Sequence, residues 1–106
     1  MEIKQYAVYW VNLDPVIGSE VSKTRPCVII SPDDMNKFIR TVIIAPLTHT
    51  LKTYTSRVAC TVGGEKGMVM LDQVRTIDKK RLMAFICNLK KTESEKIKEV
   101  INEMLC

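Results

Sequence analysis

The chain has 106 residues, of which 46% are hydrophobic and 26% charged. This balance excludes disordered, collagen-like and coiled-coil compositions and supplies one domain's worth of material over residues 1–106. The net charge is +4 and unevenly spread: residues 92–106 hold four acidic and two basic residues, which leaves 14 basic and 8 acidic residues in positions 1–91. A body this basic predicts a polyanionic partner, most simply nucleic acid, although a solubilising surface charge explains it equally well.

The chain predicts a series of short strands separated by turns. Segments rich in β-branched, aromatic and other apolar residues cover 6–13, 24–31, 41–45, 54–62, 67–71 and 81–89. Asp14-Pro15 ends the first, Pro46 closes the third and Gly63-Gly64 stops the fourth, while residues 31–37 form a turn with one helical turn. Many short strands with regular turns predict a small, mostly antiparallel barrel.

The C-terminal segment predicts an amphipathic helix that packs on this sheet. Thr92 and Glu95 have the spacing of a capping box. Apolar residues then recur at helical spacing on one face: Ile97, Val100, Ile101, Met104 and Leu105.

No apolar run approaches the ~18 residues that span a bilayer. The N-terminal residues carry two charges and no long apolar stretch, so we expect no secretory signal, no membrane association and a cytoplasmic location.

Cysteine and histidine spacing argues against a metal or disulfide framework. The four cysteines contain no C-x-x-C pair, so no metal site or cofactor is expected. Cys27, Cys60 and Cys87 lie among apolar strand residues and are expected to pack as small hydrophobic groups. His49 is the only histidine, which rules out a two-histidine acid–base pair within one chain.

Two strand ends carry side chains suited to phosphate. Arg25 stands where a loop becomes a buried strand, and its guanidinium fork matches phosphate oxygens; a structural pairing with Glu20 or Asp72 is the alternative. Thr48 follows Pro46, and its hydroxyl can donate to a phosphate or a base, or simply stabilise a turn.

A third polar segment, residues 71–78, directly follows a strand. Asp72 can orient Arg25 or hold a loop amide, and Gln73 has the donor and acceptor that reading a nucleobase requires. An ordinary turn with salt bridges is the alternative.

Taken together, these segments resemble the MazF/PemK-like toxins of type II toxin–antitoxin pairs. The matching residues are 14–15, 18–20, 24–26, 45–48 and 72–79, in this order along nearly the whole chain. The resemblance implies an SH3-like barrel of the CcdB/PemK type with a C-terminal helix, which forms a homodimer. It also implies a sequence-specific, metal-independent endoribonuclease that cleaves single-stranded RNA and leaves 2′,3′-cyclic phosphate and 5′-hydroxyl ends. A cognate antitoxin would cover the RNA groove with an acidic, disordered segment.

The resemblance assigns catalytic roles to two residues, and the chemistry of the reaction suggests a third. Cyclising cleavage uses the RNA's own 2′-hydroxyl as nucleophile, so the protein has to accept a proton, stabilise the phosphorane and donate to the leaving oxygen. Arg25 matches the catalytic arginine of the family, Thr48 matches its catalytic threonine, and Glu20 is the candidate proton acceptor.

The same resemblance places substrate contacts at Ser19, His49, Asp72 and Gln73. Some relatives carry a catalytic arginine two residues before the aspartate and a histidine in the first loop. Here those positions are Met70 and Ser19, so that mechanism does not carry over.

Two other functions remain open from sequence. A CcdB-like toxin on the same barrel would bind and poison DNA gyrase without chemistry, leaving Arg25 and Thr48 without a purpose. A non-catalytic RNA-binding module is less favoured because the chain has only three Tyr, two Phe and one Trp as stacking platforms.

Overall fold

The computed structural model describes residues 2–13 and 24–106 and builds them into seven strands and two helices. The strands are β1 (Ala7–Asn12), β2 (Thr24–Ile29), β3 (Thr41–Thr48), β4 (Arg57–Val62), β5 (Glu65–Met70), β6 (Arg75–Asp78) and β7 (Leu82–Asn88). The helices are α1 (Asp33–Phe38) and α2 (Lys91–Leu105), and short 3₁₀ turns at Leu71–Gln73 and Lys79–Arg81 flank β6.

All strand pairs are antiparallel, and the sheet is organised around β3. One edge of β3 pairs with β2, whereas its other edge pairs first with β6 and then with β5. From that centre the sheet extends through β2 and β1 to β7 on one side and through β5 to β4 on the other. The result is the curled antiparallel half-barrel with a C-terminal helix that the sequence predicts.

Because the sheet curls, its central strands are buried on both faces. One apolar layer contains Val8, Val28 and Val69 and is covered by Ile97 and Val100 of α2. The opposite layer is formed by Tyr9, Cys27, Val42, Ile44 and Ile77, with other residues of the strands. Consecutive residues of β1 and β3 therefore face different cores, which is why these strands read as continuous apolar runs.

The strand β3 is longer than predicted. It runs through Pro46 to Thr48 instead of ending at Ala45. On one edge β3 pairs with β6 up to Ile44 and with β5 from Leu47, so Pro46 falls where the partner changes. A residue that lacks an N–H is tolerated where the ladder is already interrupted.

Two further details differ from the prediction. The sequence missed β6, because this four-residue strand buries only Ile77 and shows no clear alternation. The helix α2 begins at Lys91, so the predicted capping box of Thr92 and Glu95 is wrong. Glu93 caps the helix instead: its two carboxylate oxygens accept from the backbone N–H groups of Lys90 at 3.0 Å and Thr61 at 2.9 Å, tying the helix to β4.

The apolar stripe of α2 packs on the sheet as predicted at Ile97, Val100 and Ile101, while Met104 and Leu105 stay exposed. The helical turn predicted around residue 34 is present as α1. Within residues 2–13 and 24–106, neither helix has the length and apolar character needed to cross a membrane.

Candidate active site

Strand register brings the first two predicted segments together. Cys27 on β2 lies opposite Pro46 on β3, and continuing this antiparallel register by two residues places Arg25 opposite Thr48. The half-buried Arg25 donates from Nη1 to the carbonyl oxygen of Leu47 at 3.0 Å. This hydrogen bond fixes the guanidinium beside the backbone that presents Thr48.

Arg25 and Thr48 line one cavity of about 550 Å³. Its polar lining includes Arg25, Thr48, His49, Glu65 and Lys66, and its apolar lining includes Trp10, Pro26, Leu47, Val62 and Ile86. Two fixed cations face one carboxylate here, so the described lining is positive on balance. A cavity with apolar walls and a few convergent polar groups is typical of a binding site.

The hydroxyl of Thr48 is oriented by its own loop. Thr48 Oγ1 accepts a hydrogen bond from the backbone N–H of Thr50 at 3.2 Å. Since this bond uses an acceptor lone pair, the O–H remains able to donate into the cavity.

Gly67 lets β5 approach the same segment closely. A Cβ at Gly67 would lie 3.0 Å from the carbonyl oxygen of Thr48 and 3.7 Å from Cδ2 of Leu47. A side chain at this position would therefore press directly on the backbone that carries the hydroxyl.

His49 lies on the exposed rim of the cavity. Its Nε2 is 3.8 Å from Oε2 of Glu65, and both side chains are largely exposed, at 78% and 74%. The β4–β5 hairpin makes this pairing possible: Gly63 and Gly64 have φ values of 58° and 82°, as a tight two-residue turn requires, and bring the start of β5 to the cavity.

Asp72 and Gln73 lie outside this cavity. Asp72 accepts hydrogen bonds from Arg57 Nε at 3.2 Å, Arg57 Nη2 at 3.4 Å and Ser56 Oγ at 3.2 Å. Partial burial opposes the charge on Asp72, but the hydrogen bonds from Arg57, from its own backbone and from Ser56 outweigh it and lower the pKa of this carboxyl. Within the described part of the chain, Asp72 therefore orients Arg57 rather than Arg25.

The Asp72 cluster also contains an aromatic ring. The guanidinium carbon of Arg57 lies 4.8 Å from the centroid of the half-exposed Tyr54 ring. An arginine clamped between a carboxylate and a ring is held in one position.

Ser19 and Glu20 fall outside the described residues. The sequence analysis missed Trp10, Glu65 and Lys66 as parts of the cavity. Trp10 lies in the predicted first strand between the buried Tyr9 and Val11, and only the structure shows that it is 42% exposed and lines the cavity. Glu65 and Lys66 gave no signal in the sequence, because only the hairpin geometry brings them to Thr48.

The cysteines behave mainly as predicted. Cys27 and Cys60 are buried and Cys87 is half-buried against the core, while Cys106 is exposed. Burial raises the pKa of the Cys27 thiol to about 12, even though Arg25 and Arg75 oppose this shift. Among the residues described, no three His, Cys, Asp or Glu side chains converge on a common point where a metal ion could bind.

Comparison with known proteins places this geometry in a family. Residues 4–105 match the model of the PemK-like, MazF-like toxins of type II toxin–antitoxin systems. The endoribonuclease EndoA of Bacillus subtilis strain 168 is 35% identical over 107 residues, which cover 95% of this chain and 92% of that protein.

Solved structures agree with the fold. MazF from Deinococcus radiodurans superposes with a TM-score of 0.84 at 21% identity, covering 99% of this chain and 97% of that one. An endoribonuclease in complex with its cognate antitoxin, from mycobacterial species, gives a TM-score of 0.83 at 22% identity and covers 97% and 94% of the two chains.

Proposed function

Because the chain belongs to the PemK-like, MazF-like toxins of type II toxin–antitoxin systems, we propose that it is the endoribonuclease toxin of such a pair. Residues 1–106 form one toxin domain that cleaves single-stranded RNA at a short sequence motif, in the cytoplasm and without a metal ion. The observation that carries this proposal is the meeting of Arg25 and Thr48 in one cavity.

The reaction proceeds by attack of the 2′-hydroxyl on the adjacent phosphorus. The P–O2′ bond forms and the P–O5′ bond breaks, leaving a 2′,3′-cyclic phosphate and a 5′-hydroxyl. Glu20 accepts the proton of the 2′-hydroxyl. Arg25 stabilises the charge that develops on the phosphorane, and Thr48 donates a hydrogen bond to a phosphate oxygen.

The remaining predicted contacts bind the RNA strand. His49 contacts the bound strand at the rim of the cavity, and Ser19 supplies a further contact. Asp72 and Gln73 form a second contact region, in which the amide of Gln73 pairs with a base while Asp72 holds Arg57 in place.

The proposal includes two protein partners. A cognate antitoxin inhibits the enzyme by laying an acidic, disordered segment over the positive cavity; the mycobacterial endoribonuclease complexed with its antitoxin supports this assignment. The toxin is a homodimer, and the exposed Met83 and Phe85 on the edge strand β7 supply an apolar surface for the second copy. Light scattering of the purified protein tests the dimer.

The decisive experiment uses a mixed pool of single-stranded RNA incubated with the purified protein in EDTA. We expect cuts at one short motif, with cyclic phosphate and 5′-hydroxyl ends, and no cuts with Arg25→Ala. Intact RNA with the wild-type protein would contradict the proposal, as would cleavage that needs added metal. The gyrase-binding alternative predicts intact RNA and inhibition of DNA gyrase; no feature of the described cavity favours it.

A further inference from the structure

The cavity needs a proton donor that its arginine and threonine do not provide. When the P–O5′ bond breaks, the leaving oxygen has to take up a proton. A guanidinium does not give up its proton near neutral pH, and a threonine hydroxyl is a weaker acid still than an imidazolium. Catalysis by proton transfer is most effective when the pKa of the donor lies near the working pH.

His49 supplies the side-chain type that fits this requirement. It is the only histidine of the chain, follows Thr48 directly, and lines the same cavity as Arg25. Its Nε2 lies 3.8 Å from Oε2 of Glu65, so a carboxylate is in place to orient the ring.

We propose that His49 is the general acid of the cleavage reaction and that Glu65 is the residue that positions it. The inference rests on the proposed function and adds a catalytic residue to it. With Nε2 facing Glu65, Nδ1 is the nitrogen that donates. As the P–O5′ bond breaks, the O5′ oxygen takes the proton of Nδ1, and the products are a 5′-hydroxyl and a neutral imidazole. The ring then regains a proton from water.

Three charged groups lie around His49. Arg25 from β2 and Lys66 from β5 line the cavity with it, and Glu65 from β5 is its ion-pair partner at 3.8 Å. Replacing the carboxylate of Glu65 by an amide removes this partner and leaves the imidazole in place.

A modified substrate separates proton donation from every other role of His49. The test compares ordinary RNA with RNA in which sulfur replaces the bridging O5′ at the cleaved linkage, because a thiolate leaves without protonation. We expect His49→Gln to slow cleavage of ordinary RNA by about 10²–10⁴-fold and to cleave the sulfur-bridged RNA within a few-fold of wild type. Equal slowing of both RNAs, or unimpaired cleavage of ordinary RNA, would overturn the assignment.

The split between kcat and KM tests Glu65 as a positioning residue. We expect Glu65→Gln to lower kcat on ordinary RNA with KM unchanged, because the imidazole is no longer held in place, and to leave cleavage of the sulfur-bridged RNA at the wild-type rate. An unchanged kcat on ordinary RNA would remove Glu65 from the proposal. The matched control is Lys98→Gln, on the exposed face of α2, with wild-type rates on both RNAs.

Binding is measured separately through the single tryptophan, which lines the cavity. RNA with a 2′-deoxy nucleotide at the cleaved position cannot react and reports affinity by Trp10 fluorescence. We expect His49→Gln to bind it within about threefold of wild type; a larger loss would mean that His49 acts through binding. A wild-type protein that cleaves neither RNA would overturn the proposed function and this inference together.

Discussion

Two arginines of this chain lie near strand ends of the same sheet but have different partners. Arg57 begins β4, and a carboxylate takes two of its nitrogens while a tyrosine ring covers its face. Arg25 lies in β2 at the wall of a cavity, and within the described part of the chain its guanidinium donates to one carbonyl oxygen, that of Leu47. Within residues 2–13 and 24–106, no carboxylate lies at ion-pair distance from Arg25.

The difference shows how one residue type serves two purposes. A guanidinium has five N–H donors. Arg57 donates to Asp72 through two of its nitrogens, and these bonds hold the start of β4 to the turn after β5. Among the described residues Arg25 uses one donor, on the carbonyl oxygen of Leu47, and it lines the cavity, where a guanidinium can bind an external anion. We therefore expect loss of Arg57 to affect stability and loss of Arg25 to affect activity.

The largest expected effect comes from comparing alanine substitutions of the two arginines. Arg25→Ala should lower the cleavage rate by about 10²–10³-fold, because a positioned donor to the transition state is removed. Arg57→Ala should leave cleavage within a few-fold of wild type and lower the free energy of unfolding by about 1 kcal/mol. Gel-based cleavage rates and urea melts measure both quantities. The reverse pattern, with Arg57 needed for cleavage and Arg25 for folding, would invert the comparison.

A second variant perturbs the cavity without touching any of its charged groups. Gly67→Ala places a methyl group 3.0 Å from the carbonyl oxygen of Thr48, so either β5 or the Thr48 backbone has to shift. We expect a loss of about 1–3 kcal/mol in unfolding free energy. We also expect roughly tenfold slower cleavage, because a displaced hydroxyl loses part of its transition-state hydrogen bond, worth several kcal/mol at most.

The control for Gly67→Ala is Gly64→Ala, at the tip of the same hairpin. Gly64 has a φ of 82°, and a Cβ added there would meet nothing within 4 Å, so alanine strains the turn without contacting Thr48. We expect a similar loss of stability with near-normal cleavage. Equal effects of both variants on cleavage would mean that the hairpin as a whole, and not the close approach at Gly67, positions Thr48.

The sequence predicts most of this arrangement because local patterns encode it. The apolar runs of β1, β2 and β3 and the stripe of α2 are visible as such, and the family resemblance pairs Arg25 with Thr48. The strand β6 was not predicted, because a strand with one buried residue, Ile77, shows no repeated alternation of apolar and polar positions. Likewise Thr92 and Glu95 have capping spacing, but Glu93 caps the helix because its carboxylate also reaches the N–H of Thr61 on β4.

The site is less predictable than the fold because its contacts depend on how distant segments are brought together. The sequence offered Arg25 or a loop amide as the partner of Asp72, whereas the turn at Leu71–Gln73 brings this carboxylate to Arg57. The pairing of His49 with Glu65 depends on the length of the β4–β5 hairpin. Such contacts join residues far apart in the chain, and the residue types alone do not specify them.

A smaller effect concerns the pH dependence of the Arg57 cluster. The pKa of Asp72 is lower in the folded state than in the unfolded chain, where it is about 3.9, so its ion pair stabilises the fold above that pH and ceases to do so as pH falls below it. Since the side chain is 36% exposed, water screens the pair, and we expect Asp72→Asn to cost only about 0.5–1 kcal/mol at pH 7. Urea melts at pH 7 and pH 3 should show this difference shrinking at the lower pH; a constant difference would mean that packing, and not charge, holds Arg57.

The smallest expected effect tests whether the thiol of Cys27 takes part in the chemistry of the Arg25 site. Cys27 lies two residues from Arg25 and donates from Sγ to the Arg25 carbonyl oxygen at 3.5 Å. The positive charges of Arg25 and Arg75 act to lower the pKa of this thiol, as a cation does for a cysteine nucleophile. Burial nevertheless raises the pKa of this thiol to about 12, which keeps it protonated at neutral pH. We expect a thiol reagent at pH 8 to modify the exposed Cys106 rapidly and Cys27 slowly, with no loss of cleavage after the fast phase. Rapid loss of cleavage with modification of Cys27, prevented in Cys27→Ala, would mean that the thiol reaches the cavity and that the arginine activates it.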